Sequence, residues 1–255
     1  MTDRDAALFQ YCLHRGDANL ILGQRLGAWC GHGPVLEQDI ALTNVALDLI
    51  GQARGYYQYA AELEGAGRTE DDLAFLRDER EYLNPLLCEL DNGDWGQTIL
   101  RQFCFDAHHF LLLRELRASA DEHLAALATK SLKEVAYHRR YSSEWVIRLG
   151  DGTPESHRRM QFALEEVWPY TRELVLSAPL DEAAAAHGLS PKPEALRAEY
   201  EATVADVLAK AALTPPELPD IAYRTGGKRG VHTERMGYLL AEMQHLQRAH
   251  PGASW

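Results

Sequence analysis

The chain has 255 residues, 46% of them hydrophobic and 9% aromatic, with a formal net charge of −12. That length suits one large domain or two small ones, with ample apolar material for a packed core. The acidic balance argues against nucleic acid as a partner, and no apolar run approaches the roughly 20 residues of a membrane-spanning helix. The first residues, MTDRDAALFQYCLHRGD, carry charges where a secretory leader has an apolar run, so the expected location is the cytoplasm. Cys12, Cys30, Cys88 and Cys104 are widely spaced and form no CxxC pair, which reads as four reduced, buried thiols.

Good helix formers dominate, and period-two alternation is nearly absent, so the chain reads as all-α. The first helix is predicted over about 3–29. The second follows Gly33-Pro34 and runs over about 35–64, a length of about 45 Å at 1.5 Å per residue. A short helix is predicted over about 70–88, a fourth over about 94–119 and a fifth over about 121–149, stopped by GDG. Thr153-Pro154 pairs an N-cap with Pro at the first helical position and opens a sixth helix to about residue 177. Ser190-Pro191 opens another, to about residue 213. The Pro-rich TPPELPD and the loop AYRTGGKRGVHTE precede a last helix over about 233–249, with Met236, Leu239, Leu240, Met243 and Leu246 at helical spacing. DEAAAAHG (181–188) is too short to count as a low-complexity tract. Four long helices fit a bundle, with additional short helices and a C-terminal helix. The expectation is one domain over 1–255, its core over about 3–150 and an accessory extension over about 151–255.

Polar residues interrupt the apolar faces at spacings that return a side chain to one side of a helix. The second helix offers Asn44, Asp48 and Gln52, flanked by Val45, Leu47, Leu49 and Ile50. The fourth offers Gln102, Asp106 and His109. The fifth offers Lys130, Glu134 and His138, with Tyr141 one step below, and the first offers Asp17 and Gln24. Each row is either a solvated face or an inward polar seam, and the apolar flanks around Asp48 and Asp106 favour the seam.

Such a layout points to the ferritin-like di-iron fold, where two helices each give a Glu and two each give Glu-x-x-His. Four carboxylates balance the charge of two ferrous ions in a dry core. The residues here fall short of that demand. Asp48 stands for Glu, with Gly51 where His is needed. Asp106 and His109 keep the spacing, but Asp is shorter than Glu. Glu134 has Tyr137 at the His position, and His138 comes one residue late. Lys130 would add a cation to the seam. The expectation is a degenerate site at Asp48, Asp106, His109, Glu134 and His138 that holds no metal, with no catalytic residue and no cofactor in this chain.

Four long stretches carry a family resemblance: RLGAWCGHGPVLEQDIALTNVALDLIGQAR, FLRDEREYLN, KSLKEVAYHRRYSSEWVIRLGDGT and AYRTGGKRGVHTERMGYLLAEMQHLQR. Over nearly its whole length the chain resembles the non-catalytic, ferritin-like subunits of the bacterial phenylacetyl-CoA epoxidases. The resemblance implies a homologous di-iron catalytic subunit as partner, a small bridging subunit, and a reductase with flavin and iron–sulfur. Together these epoxidise the aromatic ring of phenylacetyl-CoA with dioxygen, and the subunit resembled here scaffolds the catalytic one.

A scaffold needs a large interface, and the long second helix and the first helix are the candidates. Trp29, in RLGAWCGHGP, is either an interface anchor or a core cap of the bundle end. Two basic sites are candidates for the phosphates of CoA. One is Arg77, Arg80 and Asn84, and the other is Arg224, Lys228 and Arg229 beside two glycines. The competing readings are an ion pair of the arginines with Asp78, Glu79 or Glu81, and a clamp that positions the C-terminal helix. His32, His108, His187, His232 and His245 have no assignable partners. The rival to a scaffold is a metal-dependent oxygenase with Asp48, Asp106, His109, Glu134 and His138 as atypical ligands; an iron-storage protein is disfavoured because no carboxylate site is complete.

Overall fold

The computed structural model of the chain describes residues 1–253. Among them there is no strand, and the all-α class read from the sequence is the class the chain adopts. In chain order the helices are α1 (Asp3–Gly27), α2 (Leu36–Glu64), α3 (Glu70–Phe75), α4 (Leu86–Glu89), α5 (Trp95–Leu116), α6 (Glu122–Gly150), α7 (Pro154–Val167), α8 (Pro179–Ala186), α9 (Pro193–Lys210), α10 (Glu234–Met243) and α11 (His245–Ala249). Short 3-10 turns stand at Glu79–Glu81, Trp168–Val175, Asp220–Ala222 and Gly227–Arg229.

Contacts divide the chain into two units, Met1–Asp91 with the segment from Gly226 onward, and Asn92–Thr225. The division does not fall near 150, because the chain leaves the first unit at Asp91 and returns to it at Gly226. In the first unit α1 and α2 pack along their length around Leu8, Leu22, Leu26, Leu42, Val45 and Leu49, all buried. A capping box between Thr2 and Asp5 starts α1 and satisfies two backbone donors that no helical carbonyl can reach. α10 lies on α4 and on the turn at Glu79–Glu81. In the second unit α5 and α6 pack together, and α7 and α9 cover them. Asp94 and Asp121 cap α5 and α6 by accepting from the Gln97 and Leu124 amides, at 3.0 Å each. Thr153 caps α7 with Pro154 behind it, as the sequence suggests.

Three expected helices are broken, each for a local reason. The stretch 70–88 is not one helix, because Asp17 takes the Leu83 amide at 2.8 Å and Pro85 has no amide to give. The helix from Thr153 gives way to a 3-10 turn at Trp168, where Pro169 follows. The C-terminal helix splits at Gln244, whose side chain donates to the Arg77 carbonyl and the Tyr82 hydroxyl, both at 2.9 Å. Pro193, not Pro191, opens α9. The short stretch 181–188 holds most of α8, where Asp181 accepts from the Ala178 amide at 2.9 Å. Cys12, Cys88 and Cys104 are buried, but Cys30 is exposed, on the turn after α1. No helix among the described residues is long and apolar enough to cross a membrane.

Candidate functional site: a polar seam and a buried ion-pair cluster

In the second unit the row on α5 is buried as expected: Gln102, Asp106 and His109 are all at 0% exposure. Both Asp106 oxygens are taken by protein donors. Gln102 Nε2 donates to Oδ1 at 2.7 Å, and Ser142 Oγ, on α6, donates to Oδ2 at 2.8 Å. Burial pushes the Asp106 carboxyl up to about 6, against the nearby His138 charge and the two hydrogen bonds. His109 packs edge-on against Phe105, ring centres 5.0 Å apart. On α6, His138 is buried and Glu134 is half-buried.

Lys130 is exposed and so does not enter the seam. The reason is geometric. A spacing of four advances about 40° beyond a full turn, so Lys130, Glu134, His138 and Ser142 wind from solvent into the core. Ser142, rather than Tyr141, is the next member of that row, and a hydroxyl gives no sequence signal that separates it from a surface serine. The row on α2 winds the same way: Asn44 is exposed, Asp48 half-buried and Gln52 buried. Among the described residues, no group of three His, Cys, Asp or Glu side chains is placed to hold a metal ion.

In the first unit Asp17 forms a buried ion pair with Arg77 rather than a ligand position. Arg77 Nη2 meets Asp17 Oδ1, and Nη1 donates to Oδ2 at 3.2 Å. The Tyr57 hydroxyl donates to Oδ1 at 2.6 Å. The other guanidinium donors go to the Leu73 carbonyl at 2.6 Å and the Glu81 carbonyl at 2.8 Å. The guanidinium also lies over the Tyr82 ring, 4.3 Å from its centre. Burial pushes the Arg77 pKa down, but Asp17 outweighs it and the net shift is upward. Arg77 does pair with an acid, though not with the neighbouring Asp78, Glu79 or Glu81.

Arg77 and Asn84 are therefore committed inside the chain. Asn84 Nδ2 donates to Glu89 Oε2 at 3.0 Å. Arg80, Arg224 and Arg229 are exposed, whereas Lys228 is buried. The loop from Gly226 to Gly230 lies directly on residues 80–86. A methyl group on Gly227 would collide with the Asn84 carbonyl, and one on Gly230 with the Arg80 carbonyl. Its φ of +70° suits Gly230 to that turn as well. The two candidate sites thus meet at this loop, except for Arg224, which belongs to the other unit. The clamp reading describes this geometry. His232, for which the sequence offered no partner, completes it: Nδ1 bonds Glu89 Oε2 at 2.7 Å and Nε2 bonds the Tyr82 carbonyl at 2.9 Å.

One surface stands apart from these internal networks. On α2, Leu36, Ile40 and Leu47 share a face and are 72%, 51% and 60% exposed, and Gly51 continues it with open space beyond. α1, the other interface candidate, is buried almost throughout and offers no comparable face. Trp29 is half-buried.

An all-α chain whose helices carry a polar row, with Asp106 tied down by amide and hydroxyl, defines a ferritin-like protein. Comparison with known proteins specifies the family. The family model described as phenylacetic acid catabolic protein matches residues 1–255. An Escherichia coli K12 protein, named as a component of 1,2-phenylacetyl-CoA epoxidase, is 49% identical over 248 residues, covering 97% of this chain and 99% of its own length. The chain belongs to the phenylacetic acid catabolic protein family, and the resemblance read from the four sequence stretches is correct.

Proposed function

We propose that this chain is the structural, non-catalytic subunit of a multicomponent oxygenase that epoxidises the ring of phenylacetyl-CoA in the cytoplasm. It holds a homologous di-iron catalytic subunit, which works with a small bridging subunit and a flavin and iron–sulfur reductase. The observation that carries this reading is the Asp106 carboxylate. Both its oxygens already accept from Gln102 and Ser142, so a cation there would have to share each oxygen with a buried hydrogen bond. The donor set of the second unit does not fit a pair of irons, since Glu134 is the one Glu in the row and Glu-x-x-His is absent. The relative's printed name, that of one subunit of an epoxidase, supports the assembly. The apolar face of α2 supports a partner there, because a row of exposed Leu and Ile is what an interface core supplies.

The test has two arms. The chain is purified alone from iron-supplemented medium and its metal content measured, and it is co-expressed with the catalytic subunit and the complex isolated. Iron far below one ion per chain, with a stable complex that Leu47→Arg weakens by about thirtyfold, is the expected result, as for an anchor worth about 2 kcal/mol. Stoichiometric iron in the lone chain, lost on substituting Asp106, overturns the proposal in favour of an oxygenase with atypical ligands.

A further inference from the structure

α1 carries two buried polar residues one turn apart that the seam and the clamp do not use, Arg15 and Asn19, at 1% and 0% exposure. Arg15 Nε and Nη2 have no hydrogen-bond acceptor, and neither Asn19 Nδ2 nor Asn19 Oδ1 has a partner. On α2, the Tyr56 hydroxyl is buried without a hydrogen bond of normal geometry. It nevertheless stands near the guanidinium: burial raises the Tyr56 pKa, and the Arg15 charge draws it back. Three buried polar groups from the facing sides of one helix pair are thus left with unused hydrogen-bonding capacity.

The pattern of unused donors is specific. Nε and Nη2 form one edge of the guanidinium plane, the edge that grips a carboxylate or another planar oxyanion with two parallel hydrogen bonds. In Arg77 the corresponding plane is filled by Asp17 and backbone carbonyls. In Arg15 that edge has no acceptor of normal geometry and meets only the nearby Tyr56 hydroxyl. A buried guanidinium without an acceptor is costly, and each buried N–H left unbonded adds to the cost. The Asn19 amide and the Tyr56 hydroxyl supply two further donors, and Asn19 Oδ1 supplies an acceptor for a hydroxyl on the ligand. One positive charge calls for one negative charge.

We propose that Arg15, Asn19 and Tyr56 form a buried site for a single small monovalent oxyanion of carboxylate size, of the class of bicarbonate, formate or nitrate. The Arg15 edge binds two of its oxygens, and the Asn19 amide and the Tyr56 hydroxyl bind the remainder. This proposal does not rest on the chain's proposed place in the oxygenase.

The test uses the full chain and sodium formate as probe. Melting temperature is followed against formate concentration, with sodium chloride added to constant ionic strength, for wild type and Arg15→Lys. Lysine keeps the charge but loses the two-toothed edge. The expected result is a saturable rise in wild type and an apparent affinity at least about tenfold weaker in Arg15→Lys. Saturation-transfer NMR with 13C-formate on wild type reads binding directly, and decides the matter should Arg15→Lys not fold. Equal responses of the two proteins, or no formate-bound signal competed by nitrate, would show that ordered water alone satisfies these donors and would overturn the site.

Discussion

The clamp between Glu89 and His232 sets a pH dependence that can be worked out from its geometry. His232 Nδ1 faces a carboxylate and Nε2 faces a carbonyl, and both of these only accept hydrogen bonds. Both ring nitrogens must therefore donate, so the ring is an imidazolium. Burial pushes the His232 pKa down, but the Glu89 hydrogen bond and charge, the Tyr82 carbonyl and the charge of Glu79 push it further up, and the net shift is upward. A histidine with a raised folded pKa contributes stability that is fully present below its unfolded pKa of about 6.5 and is lost as pH rises through the folded value. The perturbation is Glu89→Gln. Glu89 also accepts from the Thr233 amide at 2.6 Å and from Asn84 at 3.0 Å. Weakening two charge-assisted bonds at roughly 1.5 kcal/mol each gives a loss of about 3 kcal/mol at about pH 6. Urea unfolding of both proteins between about pH 5.5 and pH 9 measures it, and the difference between them cancels the other titrating groups. The gap is expected to be widest at the acidic end and to narrow as His232 loses its proton. A gap that is constant with pH, or widens toward alkaline pH, would refute the imidazolium assignment.

Three further outcomes follow from the same networks. Asp106 has its folded pKa raised to about 6, so the folded state holds the proton more tightly than the unfolded one and wild type loses stability as pH rises from about 4 to about 6. Asp106→Asn removes that dependence, and urea midpoints at the two ends of the window should differ between the proteins by up to about 3 kcal/mol. Arg77→Lys keeps a charge beside Asp17 but gives up the paired donors and the stacking over Tyr82, and should cost about 3–5 kcal/mol in thermal denaturation. Gly227→Ala places a methyl group against the Asn84 carbonyl and should loosen the return of the chain to its first unit, seen as faster hydrogen exchange at 231–244 with helicity of α5 and α6 unchanged.

What was legible in the sequence is what depends on near neighbours along the chain. The bounds of α1, α2, α5 and α6 follow from caps and periodicity, and the burial of Gln102, Asp106 and His109 follows from a spacing of three and four with apolar flanks. What was not legible was set by partners far apart in sequence. Arg77 has three acidic residues within four positions, yet it pairs with Asp17, because only there can the charge be buried against a fixed carboxylate and two tyrosines. His232 gains its role from Glu89, a residue with no visible claim in the sequence. Lys130 misled for another reason, since a row spaced by four rotates out of register with the core within three steps. The same rotation carries Ser142 inward to the carboxylate. Asp106 is met by Gln102 from its own helix α5 and by Ser142 from α6, so one buried carboxylate ties the two helices together through hydrogen bonds that spacing along either helix alone does not reveal.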